Sequence, residues 1–391
     1  MSVIPAVVLG AGTVGRAAAW DLARRGYELV IADRSAAAAA AVGNELQVRH
    51  LRLDVQDREA LRPVLDRTAL VIAAVPFQLG KAVASVAVAA GAHYFDFGGN
   101  PRVVQQQLTL DGAARAAGVA VVPDCGLAPG LANVLAVGAV ASLGPGPIDE
   151  VRIRVGALPR QPSGALGYQL AFNPAGLINE YSEPCEVLRD GRRTTLPALT
   201  ELEQMSWERW GPLEAFNTAG GISSLARLWE GRVAELDYKT LRYPGHAAAF
   251  RAFLELGFFE AGPWSVADVE IAPRALLLKA LDERLPRGED DVVLVRTWAA
   301  AVRDGERTTA GYEVEDTGDG TFSALARTTA FPTTALADLV VSGRVQLTGA
   351  TTMDVAVEAP TLLEELAPLG INPVPELPWA GPNGRTRHGR C

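Results

Sequence analysis

The run Gly10-Ala11-Gly12-Thr13-Val14-Gly15 constrains this chain more than any other feature. An apolar β-rich stretch, residues 6–9, precedes it, and the amphipathic helical pattern of residues 14–25 follows. At such a junction each glycine has its own task. Gly10 permits the tight turn, Gly12 lets a ligand approach the backbone, and Gly15 lets helix and strand pack closely. The helix N-terminus then offers unpaired N–H groups and the positive end of its dipole, which suits a pyrophosphate. Thr13 and Val14 lie in that first turn.

A second strand pattern, residues 28–32, leads to Asp33, where a carboxylate binds the ribose hydroxyls of a dinucleotide. Asp33 favours NAD, because it repels a 2′-phosphate. Arg34 beside it can accept that phosphate, so NADP stays open. Asp54 and Val55, after a third strand, are placed to flank the adenine. Ala74, Val75 and Pro76, after a fourth, are placed on the path toward the nicotinamide. Ordinary strand ends and core packing account for these last positions equally well.

Further strand patterns at residues 48–53, 69–74, 93–97 and 119–122 alternate with helical ones such as 81–90. The strands are continuously apolar, which implies a parallel sheet covered on both faces. Six strands with helical crossovers give an α/β fold with a doubly wound sheet. Residues 36–41, a run of alanines, read as helix after Ser35 as N-cap.

From about residue 150 the pattern changes. Polar alternation appears at residues 149–156, 233–241, 292–302 and 308–314, with hairpin signals at Asp190-Gly191, Asp304-Gly305 and Gly318-Asp319-Gly320. These predict an α+β domain on a largely antiparallel sheet. Helical patterning returns near Pro332, at residues 333–341 and 361–369, and residues 379–391 read as a loose tail.

A net charge of −9 argues against nucleic acid or an anionic membrane as partner. The most apolar region, residues 69–92, is broken by Pro76, Gln78, Gly80 and Lys81, so no membrane span is expected. Three cysteines, Cys125, Cys185 and Cys391, without C-x-x-C spacing suggest neither a disulfide framework nor a metal site. No basic residue precedes the first apolar stretch, so no signal peptide is expected and a cytoplasmic location is.

Hydride transfer to a nicotinamide needs a group that manages the proton on the reacting oxygen or nitrogen. The candidate catalytic residues are Asp124, Asp96 and Cys125. Asp124 follows the sixth strand at the carboxyl edge of the sheet, where open α/β folds bind ligands. It serves as proton acceptor or as partner of a cationic substrate; a loop or N-cap carboxylate accounts for it equally well. Asp96, ending the fifth strand, reads more simply as a turn aspartate before Gly98-Gly99. Cys125 reads more simply as a small buried residue.

The second domain adds Asn217, Thr218 and Gly220, and the stretch from Tyr238 through Thr240 and Arg242 to His246. Residues two apart on a strand share a face, so Tyr238, Thr240 and Arg242 point one way. Arg242 suits a two-pronged grip on a carboxylate. A solvated edge strand followed by a turn is the competing reading.

At these residues the chain resembles the saccharopine dehydrogenase-like family, and within it the lysine 6-dehydrogenases. The glycine motif is shared widely. More specific are Pro123-Asp124-Cys125-Gly126-Leu127-Ala128-Pro129-Gly130-Leu131, Asn173-Pro174-Ala175-Gly176-Leu177-Ile178, Asn217-Thr218-Ala219-Gly220-Gly221 and Tyr238-Lys239-Thr240-Leu241-Arg242-Tyr243-Pro244-Gly245-His246. The resemblance implies a Rossmann domain over residues 1–128. It also implies an inserted substrate-binding and dimerisation domain over 129–330, and C-terminal helices over 331–391 that return to the first. The implied activity is oxidative deamination of the lysine ε-amine with NAD, giving 2-aminoadipate 6-semialdehyde and ammonia, followed by ring closure. Arg242 would hold the substrate carboxylate, Asp124 or Asp96 would lie near the amine, and Tyr238, Thr240 and His246 would be pocket residues. A homo-oligomer is expected. The alternatives are a carboxynorspermidine- or saccharopine-type dehydrogenase acting on a secondary amine, and a nucleotide-binding sensor without turnover.

Overall fold

The computed structural model describes residues 4–170 and 173–376. Cys391 and the expected tail at 379–391 lie outside them. The described residues form two compact units, 4–138 with 325–372, and 139–170 and 173–324 with 373–376. The sequence reading set limits at 128 and 330. The division runs instead inside the helix Leu131–Ser142 and after the first residue of the helix Ala324–Val341.

The first unit begins β1 (Pro5–Leu9), α1 (Thr13–Arg24), β2 (Glu28–Asp33), α2 (Ala36–Leu46), β3 (Arg49–Arg52), α3 (Arg58–Leu65) and β4 (Leu70–Ala73). It continues α4 (Gly80–Ala90), β5 (His93–Asp96), α5 (Pro101–Leu108), α6 (Asp111–Ala117), β6 (Ala120–Val122) and α7 (Leu131–Ser142). The six expected strands are present and parallel. Each strand residue from Val7 to Leu9 and from Leu70 to Ala73 is buried, as a sheet covered on both faces requires. The Ala-rich α2 forms as expected, with the Ser35 side chain accepting from Ala38 N–H.

In the second unit come β7 (Ile148–Pro159), α8 (Pro174–Glu180), β8 (Cys185–Arg189), β9 (Arg192–Leu196), β10 (Glu203–Trp207), β11 (Gly211–Asn217), α9 (Leu225–Trp229) and β12 (Val233–Arg242). They are followed by α10 (His246–Glu255), β13 (Trp264–Val266), β14 (Val269–Ile271), α11 (Pro273–Arg284), β15 (Asp291–Arg303) and β16 (Glu306–Asp316). The chain then returns to the first unit with α12 (Ala324–Val341), β17 (Gly349–Ala350), α13 (Met353–Ala356) and α14 (Ala359–Leu366), and β18 (Val374–Glu376) belongs to the second.

The first sheet has seven strands, not six, in the order β17-β6-β5-β4-β1-β2-β3. The seventh, β17, comes from the returning C-terminal segment and pairs parallel to β6 through two residues, too short to leave a pattern. That return is anchored by charge. Asp21, fully buried on α1, accepts from Arg25 at 2.8 Å and from Thr334 on α12 at 2.6 Å. Arg25 also reaches Asp338 and Glu365, both at 3.0 Å. Removing one partner from such a buried group costs about 3–5 kcal/mol.

The second sheet runs β10-β11-β12-β7-β15-β16-β18, with β8 and β9 beside β12. It is largely antiparallel, with one parallel pair, β7 and β12. Asp190-Gly191 and Asp304-Gly305 turn two-residue hairpins, closed by Arg189 opposite Arg192 and Arg303 opposite Glu306. Gly318-Asp319-Gly320 does not. The Asp319 carboxylate accepts from Thr321 and Phe322 N–H, and the turn leads into α12 rather than into a strand. Helix α12 also begins earlier than expected and carries Pro332 inside it. The hydroxyls of Thr333 and Thr334 bond back to the Thr329 and Ala330 carbonyls in the turn around the proline.

Candidate functional site

The order of the first sheet reverses between β1 and β4, and the loops after these strands open a groove of about 410 Å³. Gly10, Gly12, Asp33, Arg34, Asp54, Val55, Ala74, Val75 and Pro76 line it, as do Ser35 and Gln56, which sequence reasoning missed. Thr13, Val14 and Gly15 form the first turn of α1 beside it.

The three glycines are needed for different reasons. A Cβ on Gly10 would meet the Ala74 carbonyl oxygen at 2.2 Å, and one on Gly15 would meet the Gly10 oxygen at 1.9 Å. Both therefore serve the close packing of β1, β4 and α1. At Gly12 nothing lies within 4 Å and φ is −75°, so neither packing nor backbone conformation demands glycine there. Gly12 is the N-cap of α1 and supplies no side-chain acceptor to the first-turn N–H groups. A backbone cradle open to a ligand explains both observations.

Asp33 is set by the backbone. One carboxylate oxygen accepts from Ala11 N–H at 2.8 Å and the other from Ser35 N–H at 2.7 Å. Each oxygen keeps a lone pair for a ribose hydroxyl. The glycine cradle and this anchored carboxylate fit the pyrophosphate and ribose of a nicotinamide dinucleotide.

Along the same sheet edge lie the loops after β5 and β6. Asp96 is buried and accepts four hydrogen bonds. Tyr94 Oη (2.8 Å) and Gln107 Nε2 (2.5 Å) bond to one oxygen, and Gly98 N–H (2.8 Å) and Asp124 N–H (3.3 Å) to the other. Burial pushes its carboxyl up against these stabilising bonds. Asp124 is buried in the left-handed region at φ 59°, and its Oδ1 lies where a Cβ on Gly98 would come within 1.9 Å. Gly98 therefore makes the room that Asp124 fills. Cys125 is fully buried, its thiol 3.2 Å from the Val122 carbonyl. Burial, with Asp96, Asp124 and Asp354 nearby, raises the thiol well above its ordinary range, so it stays protonated.

In the second unit, β12 is a central strand between β11 and β7, not a solvated edge. Its residues divide by parity. Asp237 and Lys239 face an ion cluster with Arg152, Arg154 and Glu203. Tyr238, Thr240 and Arg242 face the other way. There the Thr240 and Thr218 hydroxyls meet at 2.7 Å. Asn217 pairs in register with Lys239 and bonds Thr200, so it is not brought to the Arg242 face. A Cβ on Gly220 would meet nothing within 4 Å, whereas its neighbour Gly221 makes room for the Tyr238 ring, which a Cβ would meet at 2.5 Å.

Arg242 is buried, and the aromatic ring of Tyr168 lies 5.0 Å from its guanidinium. Its Nε donates to Tyr181 Oη at 3.1 Å and its Nη1 to the Leu241 carbonyl at 2.9 Å. His246 Nδ1 lies 2.9 Å from the Leu166 carbonyl, which only accepts, so Nδ1 carries the proton. Nε2 therefore accepts from Tyr181 Oη at 2.9 Å. The three groups form one directed chain, Arg242 to Tyr181 to His246 to the backbone. Burial, reinforced by Arg242, lowers the His246 pKa to about 3 and keeps the ring neutral. Glu214 fixes the next helix, accepting from Gly245 and Ala247 N–H at the start of α10. Tyr181 and Tyr168 were not legible beforehand, because each is far in sequence from the stretch it serves. Among the described residues Arg242 forms no ion pair.

Residues 6–122 match the saccharopine dehydrogenase NADP binding domain, and residues 126–371 match the saccharopine dehydrogenase C-terminal domain. A curated relative, saccharopine dehydrogenase (NADP+, L-glutamate-forming) of Pyricularia oryzae, is 24% identical over 282 residues. That match covers 68% of this chain and 62% of the relative, so the chain spans less than two thirds of its length. The apo histidine-tagged saccharopine dehydrogenase (L-Glu forming) from Saccharomyces cerevisiae is 18% identical with a TM-score of 0.79. The alignment covers 95% of this chain and 99% of that one, and it shows a shared fold. The groove at Gly10–Gly15 thus lies in an NAD(P)-binding domain. Among the described residues no helix is long and apolar enough to cross a membrane.

Proposed function

The chain belongs to the saccharopine dehydrogenase family, and from that premise we propose that it is an amino-acid dehydrogenase that oxidatively deaminates the ε-amine of L-lysine. Lysine, NAD+ and water give 2-aminoadipate 6-semialdehyde, ammonium, NADH and a proton. The semialdehyde then closes to piperideine-6-carboxylate.

The bound dinucleotide supplies the hydride acceptor. The chain's own residues do the rest. Gly12 and the first turn of α1 hold the pyrophosphate, Asp33 the ribose, and Asp54, Val55 and Ala74 to Pro76 the walls of the groove. Asp33 favours NAD, while Arg34 and Ser35 on the same wall leave NADP accessible. Asp124 accepts the proton that the substrate ammonium must lose, since its ordinary pKa of about 10.4 leaves no lone pair at neutral pH. Asp96 is a positioning residue that fixes Asp124 through its backbone N–H. Cys125, protonated and buried, is structural.

The observation that carries the substrate reading is Arg242, a buried guanidinium without an ion pair among the described residues. Such a charge is costly unless a carboxylate ligand neutralises it. Tyr238 and Thr240 share its face of β12, and the Thr240 hydroxyl meets that of Thr218 at 2.7 Å. Turnover of a secondary amine of the saccharopine type is the second reading, favoured by the activity named for the two relatives. Incubating the protein with lysine or saccharopine and either cofactor separates the two. NADH from lysine supports the first, and turnover of saccharopine alone supports the second.

A further inference from the structure

Arg242 has an unclaimed partner of opposite charge. Glu180 is the last residue of α8, and its carbonyl accepts from Ala219 N–H at 2.9 Å. That bond pins the end of α8 to the segment following β11. The next residue is Tyr181, which holds Arg242 Nε. The Glu180 carboxyl is half-buried and within electrostatic reach of Arg242, Tyr238 and Tyr181. Yet the two charges do not close into an ion pair.

A buried guanidinium beside a carboxyl with which it does not pair is left without a counter-ion. A ligand that carries both signs at a fixed separation satisfies each of them. Arg242 already commits Nε to Tyr181 and one Nη1 proton to Leu241, and among the described residues its remaining Nη protons have no partner, so they can grip a carboxylate. Glu180 makes no side-chain hydrogen bond among the described residues, which leaves it to receive an ammonium.

We propose that Arg242 and Glu180 together recognise the zwitterionic head of an α-amino acid. Arg242 takes the carboxylate, and Glu180 takes the α-ammonium and sets the preference for amino acids over plain carboxylates. Burial raises the Glu180 carboxyl to about 7 against the opposing pull of Arg242. An ammonium beside it favours the ionised form. This inference rests on the reading that the second unit holds the substrate, and it adds the group that reads the α-amine.

The test is calorimetric binding of L-norleucine and of hexanoate to the full chain with NAD+ present. Norleucine has the amino-acid head without an ε-amine, and hexanoate has the carboxylate alone. The wild type is expected to bind norleucine at least about tenfold tighter than hexanoate, equivalent to about 1.4 kcal/mol. Glu180→Gln is expected to erase that ratio, and Arg242→Met to weaken both ligands. Should Glu180→Gln fail to fold, Glu180→Asp keeps the charge but shortens its reach, and is expected to reduce the ratio. An unchanged ratio in a folded Glu180 variant, or no binding of norleucine to the wild type, overturns the proposal. Neither ligand can be deaminated at the ε-position. Failure of lysine turnover alone therefore leaves this inference standing and overturns only the reaction assigned above.

Discussion

Arg242 donates its Nε–H to the phenol oxygen of Tyr181 at 3.1 Å, inside the second unit. The phenol fixes the guanidinium's rotation, and its own proton is spoken for by His246 at 2.9 Å. Tyr181→Phe keeps the ring, which packs edge-on against Phe250 with centroids 4.9 Å apart, and removes the acceptor. The buried Nε–H then loses its partner, at about 1–3 kcal/mol. Steady-state kinetics should show the KM for lysine raised about tenfold with kcat little changed, and NAD affinity unaffected. A fall in kcat at constant KM would place Tyr181 in the chemical step instead.

His246 predicts a pH signature in stability. Its pKa, about 3 when folded because of burial and then Arg242, lies below the ordinary value of 6.5. The unfolded chain therefore binds the proton first as pH falls. The contribution is fully present above about pH 6.5 and is lost progressively down to about pH 3, at roughly 1.4 kcal/mol per pH unit. Denaturant midpoints measured between pH 7 and 4 should fall more steeply for wild type than for His246→Gln. Parallel slopes would show that the ring titrates as it does in water.

Gly12 and Gly15 should respond to the same substitution in opposite ways. Gly15→Ala drives a Cβ into the Gly10 carbonyl, at 1.9 Å, and should lower the melting temperature through about 1–3 kcal/mol of overpacking. Gly12→Ala meets nothing within 4 Å, so the melting temperature should hold while NAD affinity drops at least about tenfold. Differential scanning calorimetry with and without NAD separates these effects.

Much of this groove was legible because its residues are local. The glycines and the strand end at Asp33 sit within one strand–helix–strand unit, where spacing alone fixes the geometry. The hairpins at Asp190-Gly191 and Asp304-Gly305 were legible for the same reason. What escaped was long-range. Tyr181 and Glu180 reach Arg242 only through tertiary packing, and β17 is two residues of sheet supplied by the returning segment. Pro332 marked a helix boundary by propensity, but the helix runs through it. Gly318-Asp319-Gly320 had the composition of a hairpin without a second strand to close it.

Asp33 should govern cofactor choice. Both its oxygens accept from backbone N–H groups, so Asp33→Asn removes the charge and, since an amide accepts through one oxygen only, gives up one of those two bonds. The loss of a charge-assisted hydrogen bond to ribose is worth about 1.5–3 kcal/mol. Fluorescence titration should show NAD binding weakened about tenfold or more, with NADP binding weakened less or strengthened, given Arg34 beside it. Equal weakening of both cofactors would remove Asp33 from discrimination.

The assignment as a lysine ε-amine dehydrogenase is tested most directly by following NADH and ammonium together when the protein is mixed with L-lysine and NAD+. The account predicts the two products in one-to-one yield. It also predicts a fall in kcat of at least about a hundredfold in Asp124→Asn, the scale of general base catalysis, with NAD binding retained. Absence of NADH from lysine, alongside turnover of saccharopine, would contradict it.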